Sequence, residues 1–588
     1  MDANSCAPLL PTAKESKLFF FLLLFLFLVA GTSAIGLSFV PFKLLAAKVR
    51  GMSGSGQGAF FDANFYRAMQ IRLRVIGMAN LLASGVVFAL QKSIRQFIEH
   101  VKGDSIQLAA ALRSSVSRIP PEDLIALGAV TLVGAGLRLS FLFQPMRDDE
   151  AYTFLQYSSR PFYVGLSFYN APNNHIFHTL LVRLSYLFFG NHPWDLRLPA
   201  LVAGICLVPA TYAAGRSLYC NQGALLAAAL VSASSILVEF STNARGYIQI
   251  CAVFMILVPI AAHGMRESNR AAWLLFAILS ALGFYTIPIM LYPFGGIVLW
   301  LTVSAAFDEV RPRGRSLMLN AIVAVGITLL LAVELYSPVF AVSGPAAVLA
   351  NKWVASKTFH LLIQGLPPSL ASVWHQWNRD LPRLLSILLV AGLAIGLIFH
   401  RRCGKHRVPL VVIVALWIAS SLLVQRVVPF ERVWLFALPL YLIVASAGLA
   451  LVLEPFFRRV RLAYAIPFVA ITLSLFFGFR VQQRRSIYLT NEGRGLEDLA
   501  IFLKLQLQQG DSVTVVLPSD SPLAYYFQLH GVSSAYMNAP IRARELVVVN
   551  EVAGDTVESV LRLAKLPQAT PAKLIAKFDS AYLYEVRR

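Results

Sequence analysis

Charge is scarce in this sequence. Only 14% of its 588 residues are Asp, Glu, Lys or Arg, and 57% are hydrophobic, where an ordinary soluble domain carries about 25% charged residues. A chain this apolar cannot hide its own side chains from water, which excludes a soluble globular class and leaves a polytopic membrane protein. Acidic residues are the scarcer sign, 30 against 51 basic, for a formal charge of +21. The Lys and Arg fall in short clusters between apolar runs, as topology determinants do, so nucleic acid is not an expected partner. Cysteine is scarce too. The five (Cys6, Cys206, Cys220, Cys251, Cys403) lie in or beside apolar segments or at the extreme N-terminus, which excludes a disulfide framework and a cysteine-rich metal site.

What is present is a succession of long apolar runs. Residues 18–40 can span a bilayer, which takes roughly 20 apolar residues. The run outlasts a signal-peptide core and has no small-x-small cleavage site before a polar start, so a retained anchor is expected. A weaker segment follows over 75–90, and the connection between the two carries Lys43, Lys48, Arg50, Arg67, Arg72 and Arg74. Either the second segment does not fully cross, or the positive-inside rule fails there. Residues 1–122 thus form an N-terminal extension with one or two membrane segments.

From Asp123 to Arg480 about eleven spans are expected, near 123–145, 198–217, 222–239, 247–264, 271–287, 288–306, 316–337, 383–400, 408–425, 433–453 and 463–480. Basic clusters alternate with them: Arg216; Arg266 and Arg270; Arg311, Arg313 and Arg315; Arg401, Arg402, Lys405 and Arg407; Arg458, Arg459 and Arg461. These connections are cytoplasmic by the positive-inside rule. The loops 146–197 and 338–382, the turns at 239–247 and 429–432, and the tail 481–588 then share the other face. Each long loop holds a mixed apolar and polar stretch that reads as an interfacial helix, 175–190 in the first and the Trp353, His360, Trp374, His375 and Trp377 region in the second, which would cover a site from above. The tail has the pattern of a small α/β domain, with strands at 512–517, 545–549, 572–578 and 581–586 and helices at 496–508, 522–530 and 556–564. It lacks a Gly-rich phosphate loop and a catalytic triad signature.

The chemistry gathers on the non-cytoplasmic face. Asp148, Asp149 and Glu150 directly follow the first core span. They read either as a solvated helix cap or as a site, and carboxylates at a membrane boundary favour the site, with one as general base. Asn173, Asn174, His175 and His178 follow. The two His at i, i+3 are a weak metal signal without a third ligand, and Asn174 and His175 as hydrogen-bond donors to a polar substrate are preferred. Arg245 and Arg432 each stand at the outer end of a span. They either snorkel or converge as a phosphate clamp, since guanidinium forks match phosphate oxygens, with Arg197 as a weaker third. Tyr525, Tyr526 and Tyr536 of the tail read as sugar-stacking or, more ordinarily, as core residues.

This ordered set resembles the C-type (GT-C) superfamily of membrane glycosyltransferases, in the branch of the protein O-mannosyltransferases and aminoarabinose transferases. The residues that carry the resemblance are Asp149-Glu150-Ala151-Tyr152, Pro172-Asn173-Asn174-His175, Arg197-Leu198-Pro199 and Ala244-Arg245-Gly246-Tyr247. It covers roughly 123–588 and leaves out the N-terminal extension. It implies a GT-C-like core of about eleven transmembrane helices with a C-terminal α/β domain. It also implies transfer of a sugar, with inversion, from a polyprenyl-phosphate donor to a lipid, glycan or protein acceptor at the outer face of the membrane; the short loops and the lack of an evident eukaryotic sorting signal point to a bacterial inner membrane. Asp149 or Asp148 is then the base, Glu150 its support, and Arg245 and Arg432, with Tyr247 in the same motif, hold the donor. The sequence lacks the second Asp that some members place beside the residue equivalent to Arg245, which leaves a divalent metal open. The rival readings are a lipid-linked-sugar flippase and a glycan ligase. The clean spans and the outer clustering of polar groups favour an enzyme over a transporter, which places ionisable groups at the midplane.

Overall fold

The computed structural model describes residues 13–52, 61–307, 314–350, 355–460, 464–485, 493–540, 544–567 and 572–586. Trp353, Arg311, Arg313, Arg461 and Cys6 lie outside them. The chain opens with helices α1 (Ala13–Leu37), α2 (Ala63–Ala89) and α3 (Gln91–Ser117). The core follows with α4 (Pro121–Phe141), the short acidic helix α5 (Asp148–Thr153), α6 (Ile176–Phe189), α7 (Pro193–Leu218), α8 (Asn221–Ala233), α9 (Ser235–Ser241) and α10 (Tyr247–Arg266). It is completed by α11 (Arg270–Thr286), α12 (Leu291–Ala306), α13 (Gly314–Val342), α14 (Phe359–Asn378), α15 (Arg383–Ile398), α16 (Leu410–Gln425), α17 (Ala437–Val460) and α18 (Ala465–Gln483). Among the described residues nine helices are long and apolar enough to cross a membrane, or up to eleven if each of two bent pairs is one span. The shorter apolar helices α11 and α16 stand where two further core spans are expected.

One expected span is broken. The run 222–239 bends by 61° between α8 and α9, at Ser234, whose extended backbone (φ −63°, ψ 119°) interrupts the helix without Pro or Gly. Carbonyls freed in an apolar bundle must find donors. They find Arg138, which is fully buried in α4 and donates to the carbonyls of Ser232 (2.7 Å) and Gly134 (2.9 Å) and to the Ser241 hydroxyl (3.0 Å). The expected cleanness of the spans therefore fails at Arg138, a cation used to stabilise the bend.

The N-terminal segments pack as an antiparallel pair. A Cβ on Gly31 of α1 would meet the Gly77 carbonyl of α2 at 3.0 Å, and one on Gly77 would meet the Gly31 carbonyl at 2.9 Å, so only glycine allows this approach. The second segment is thus a full-length helix of 27 residues. Its first turns lie on the face of the acidic loop: Arg72 donates to the Val342 carbonyl (3.2 Å), and neighbouring Ser343 bonds Ser167 and Tyr169 of the first loop. Arg67, Arg72 and Arg74 lie within this helix and not in the connection where they are expected, and Arg72 shares the face of the site, against the charge pattern of the core.

The tail folds as expected, with helices α19 (Leu496–Gln506), α20 (Asp520–His530) and α21 (Val557–Leu563) and strands β1 (Ser512–Thr514), β2 (Glu545–Asn550), β3 (Ala572–Phe578) and β4 (Ala581–Val586). The strand order is β1-β2-β4-β3, with β1 parallel to β2 and the other pairs antiparallel. One face of this domain does not close on itself. Leu499, Leu503, Leu523, Tyr525 and Phe527 share a core with Met146, Ala151, Phe154 and Leu196 of the membrane part. Tyr525 and Tyr526 are fully buried there, which removes them from sugar stacking. Tyr536, partly buried, packs against the same core.

Candidate active site

Three consecutive carboxylates diverge in the structure because successive helical residues point about 100° apart. Glu150 turns inward. Its oxygens accept from Arg197 Nη2 (2.7 Å) and Nε (2.9 Å), from the Ala244 amide (2.5 Å) and from the Arg147 amide (3.1 Å). Burial alone would raise its pKa, but Arg197 and these donors bring it below the usual carboxylate range. Arg197 spends its remaining donors on the carbonyls of Leu142 (2.8 Å), Gln144 (2.6 Å) and Pro145 (2.9 Å). All five guanidinium N–H groups are then used, which corrects the expectation of Arg197 as a phosphate ligand. Glu150 and Arg197 together tie the acidic helix to the start of α7 and to the turn before α10.

Asp149 turns to the open side, with its side chain about a third exposed (35%). Arg245 Nη1 lies 2.5 Å from its Oδ2, Arg432 Nη1 lies 3.8 Å from the same oxygen, and Asn173 Nδ2 donates to Oδ1 at 2.9 Å. Burial pushes the Asp149 carboxyl up, but Arg245, Arg432 and Asn173 outweigh it and hold it below its ordinary value. Both guanidiniums lie over the ring of Tyr247, with Cζ at 5.5 Å and 5.9 Å from its centre, and Arg432 Nε donates to the Tyr247 hydroxyl at 3.0 Å. Such contacts fix the two Arg while leaving part of each fork for another anion. Asp148 precedes Asp149 on the same turn and is also partly buried.

The Asn-His element supports these groups. His175 Nδ1 accepts from the Gly246 amide at 2.9 Å, and its ring meets the Tyr247 ring edge-on at 5.0 Å. Burial above all, then the charge of Arg245, keeps its pKa well below the usual value, so the ring is neutral with its proton on Nε2. Asn174 is buried, donating to the carbonyls of Gly165 and Phe168 (both 2.9 Å) and accepting from Thr179 (2.9 Å). It shapes the loop with these donors rather than offering them to a substrate, and its neighbour Asn173 is the one that reaches the site, at Asp149. Among the described residues no group of three or more His, Cys, Asp or Glu is arranged to hold a metal ion. In the second long loop α14 packs beside the Arg432 segment, with Gly365 against Val428 and Ser369 donating to the Pro429 carbonyl (3.4 Å). Its Trp374 and Trp377 meet Tyr441 rather than the site.

Sequence reasoning missed Asn173 as a site group and a chain of ion pairs beside the acidic loop. Glu239, at the end of the broken span, takes Arg147 (2.8 Å) and Arg379 (3.0 Å), and Asp380 takes Arg484 (3.3 Å). A carboxylate ending an otherwise apolar run was the available signal for Glu239.

Known proteins match this architecture. Residues 172–339, from the Asn-His element to the end of α13, match the family described as dolichyl-phosphate-mannose-protein mannosyltransferase. The apo structure of ArnT from Cupriavidus metallidurans superposes with a TM-score of 0.54 at 13% identity, covering 79% of this chain and 97% of that one. The same enzyme bound to undecaprenyl phosphate gives 0.49 at 14% identity, with 79% and 97% covered. An Archaeoglobus fulgidus oligosaccharyltransferase in complex with Zn and sulfate gives 0.41 at 14% identity, with 66% and 56% covered. No protein of curated function matches at the level of sequence. The chain thus has the fold of the C-type membrane glycosyltransferases, with a segment matching the dolichyl-phosphate-mannose-protein mannosyltransferase family at its centre.

Proposed function

We propose that this protein is a glycosyltransferase that moves one sugar from a polyprenyl-phosphate donor to a lipid, glycan or protein hydroxyl at the non-cytoplasmic face of a bacterial inner membrane. The observation that carries the reading is Asp149, partly exposed between Arg245 and Arg432 on the face where the long loops meet. The matched mannosyltransferase family supports a lipid-phosphate donor. Asp149 accepts the proton of the acceptor hydroxyl as its oxygen attacks the anomeric carbon. The bond from that carbon to the phosphate oxygen breaks on the opposite side, with inversion, and Arg245 and Arg432 stabilise the charge left on the polyprenyl phosphate. The two guanidiniums pair with Asp149 here, and a donor phosphate competes for them. Donor binding therefore loosens the grip on Asp149 and raises its basicity when a base is needed. Glu150 keeps the helix in place and takes no proton.

The test is sugar transfer in membranes with a panel of polyprenyl-phosphate sugars, comparing wild type with Asp149→Asn and Asp148→Asn. Loss in Asp149→Asn alone, with donor binding retained, is expected. Loss in Asp148→Asn alone reassigns the base, and transfer by both variants removes the acidic helix from the chemistry. Movement of labelled lipid across the bilayer without transfer would replace the enzyme reading with a flippase.

A further inference from the structure

We infer that the C-terminal domain is the back wall of the catalytic loop and that Tyr526 is a positioning residue for Asp149. The inference rests on the reading of Asp149 as base. The acidic helix begins at Asp148, and Met146, just ahead of it, is fully buried. Its amide donates to the Tyr526 hydroxyl at 2.9 Å. Its carbonyl is covered by Gly493, at the entry to the domain, where an added Cβ would lie 2.0 Å from the Met146 oxygen. The backbone N–H and C=O of Met146, which lie in the two successive peptide groups that lead into the helix, both face the soluble domain and its entry. The other contacts of α20 point the same way: Tyr525 stacks edge-on against Phe154 at 5.6 Å, one residue beyond the acidic helix, and its hydroxyl donates to the Asn191 carbonyl.

The geometry matters because Asp149 must meet Arg245, Arg432 and Asn173 at once. Arg245 and Arg432 stand on elements fixed by the bundle, whereas the acidic helix has six residues and runs on only into a π-helical turn over Phe154–Ser158, together too few turns to hold itself. The Glu150 to Arg197 pair fixes its inward face, and the Met146 contact fixes its start. Without the Tyr526 hydroxyl, a buried N–H is left unpaired and the helix can shift along its axis. A shift of an ångström in a reacting group is enough to slow catalysis by up to about a hundredfold.

The test uses the full-length protein in lipid nanodiscs, with Tyr526→Phe, Tyr525→Phe, Gly493→Ala and wild type. Hydrogen exchange is read over 146–153 and, as an internal control, over 496–506 and 520–530. In Tyr526→Phe, exchange over 146–153 rises while the control segments stay protected. kcat falls by about tenfold or more while the KM for donor does not rise, and the acid limb of kcat/KM moves upward because the ion pairs of Asp149 loosen. Gly493→Ala, which keeps the tyrosine but presses on Met146, gives the same pattern and covers the case in which Tyr526→Phe does not fold. Tyr525→Phe leaves the acid limb in place. Wild-type exchange and pH profile in Tyr526→Phe, or identical changes in Tyr525→Phe and Tyr526→Phe, would overturn the inference and leave the domain as a general brace. If Asp149→Asn keeps full transfer, the base assignment fails instead, and the exchange data still judge the Tyr526 contact separately.

Discussion

Arg245 Nη1 stands 2.5 Å from Oδ2 of Asp149, and Arg432 Nη1 approaches the same oxygen to 3.8 Å. The carboxyl is held below its ordinary pKa, so the charged, proton-accepting form persists as pH falls and is lost only below the usual carboxylate range. Transfer should therefore be level through neutral pH on its acid side. Replacing Arg432 with Gln removes one of the two charges, and the acid limb of kcat/KM, which reads the donor-free enzyme, should move upward. A pH profile of the Arg432→Gln enzyme that overlays wild type would separate Arg432 from Asp149.

The two clamp residues should differ in kinetics from Arg197. Arg245→Gln and Arg432→Gln remove stabilisation of the leaving phosphate, and a loss of roughly 10²–10³ in kcat is expected for the better-buried Arg245. Folding should survive in both. Arg197→Met instead leaves Glu150 charged and buried with its main partner gone, at a cost of about 3–5 kcal/mol. The double variant Glu150→Gln with Arg197→Met should recover part of this. Thermal unfolding in detergent reads the contrast, and equal melting temperatures for Arg197→Met and Arg432→Gln would contradict it.

The difference between Glu150 and Asp149 came only through the family resemblance and was not legible in the residues themselves. Adjacent carboxylates look alike as letters, and what separates them is which side of one helical turn faces Arg197 and which faces Arg245. The spans were legible because every lipid-facing residue must be apolar, a requirement each segment meets locally. The break at Ser234 was not, since no Pro or Gly marks it and its stabilising partner, Arg138, comes from another helix. The tail was legible strand by strand. That its buried face is completed by Met146 and Phe154 was not, because that packing joins segments far apart in the chain.

Arg138 supplies a third test. Among the described residues no carboxylate pairs with it; it is held by carbonyls at the end of α8 and by Ser241 at the end of α9, the end of a helix where a cation is stabilised. Arg138→Met would strand those carbonyls, each charge-assisted bond being worth about 1.5–3 kcal/mol. Gly204→Ala attacks the same junction differently, placing a Cβ 2.0 Å from the Ser241 hydroxyl, and overpacking of this kind costs about 1–3 kcal/mol. Both variants should lower the melting temperature and weaken donor binding through the turn that carries Arg245. A melting temperature unchanged in both would mean that the bend holds itself.

The N-terminal pair makes the last prediction. The helix α1 has a mean hydropathy of 2.6 and α2 of 1.5 in their most apolar windows, and they run antiparallel through the Gly31 and Gly77 contact. The start of α2 lies beside Val342 and the first loop, while Asp104 of α3 accepts from the Arg270 amide (2.7 Å) in a connection at the opposite end of the core. With these contacts at opposite ends of the core, both helices are expected to cross, with their two ends on different sides. Single cysteines at the exposed positions Asn64, Ser105 and Ser534, in a background without the native five, report this directly. An impermeant thiol reagent applied to intact cells should label Asn64→Cys and Ser534→Cys together and reach Ser105→Cys only after permeabilisation. Labelling of Asn64→Cys with Ser105→Cys instead would mean that α2 does not cross. The basic loop would then lie away from the site, in agreement with the positive-inside rule and against the contact of Arg72 with Val342.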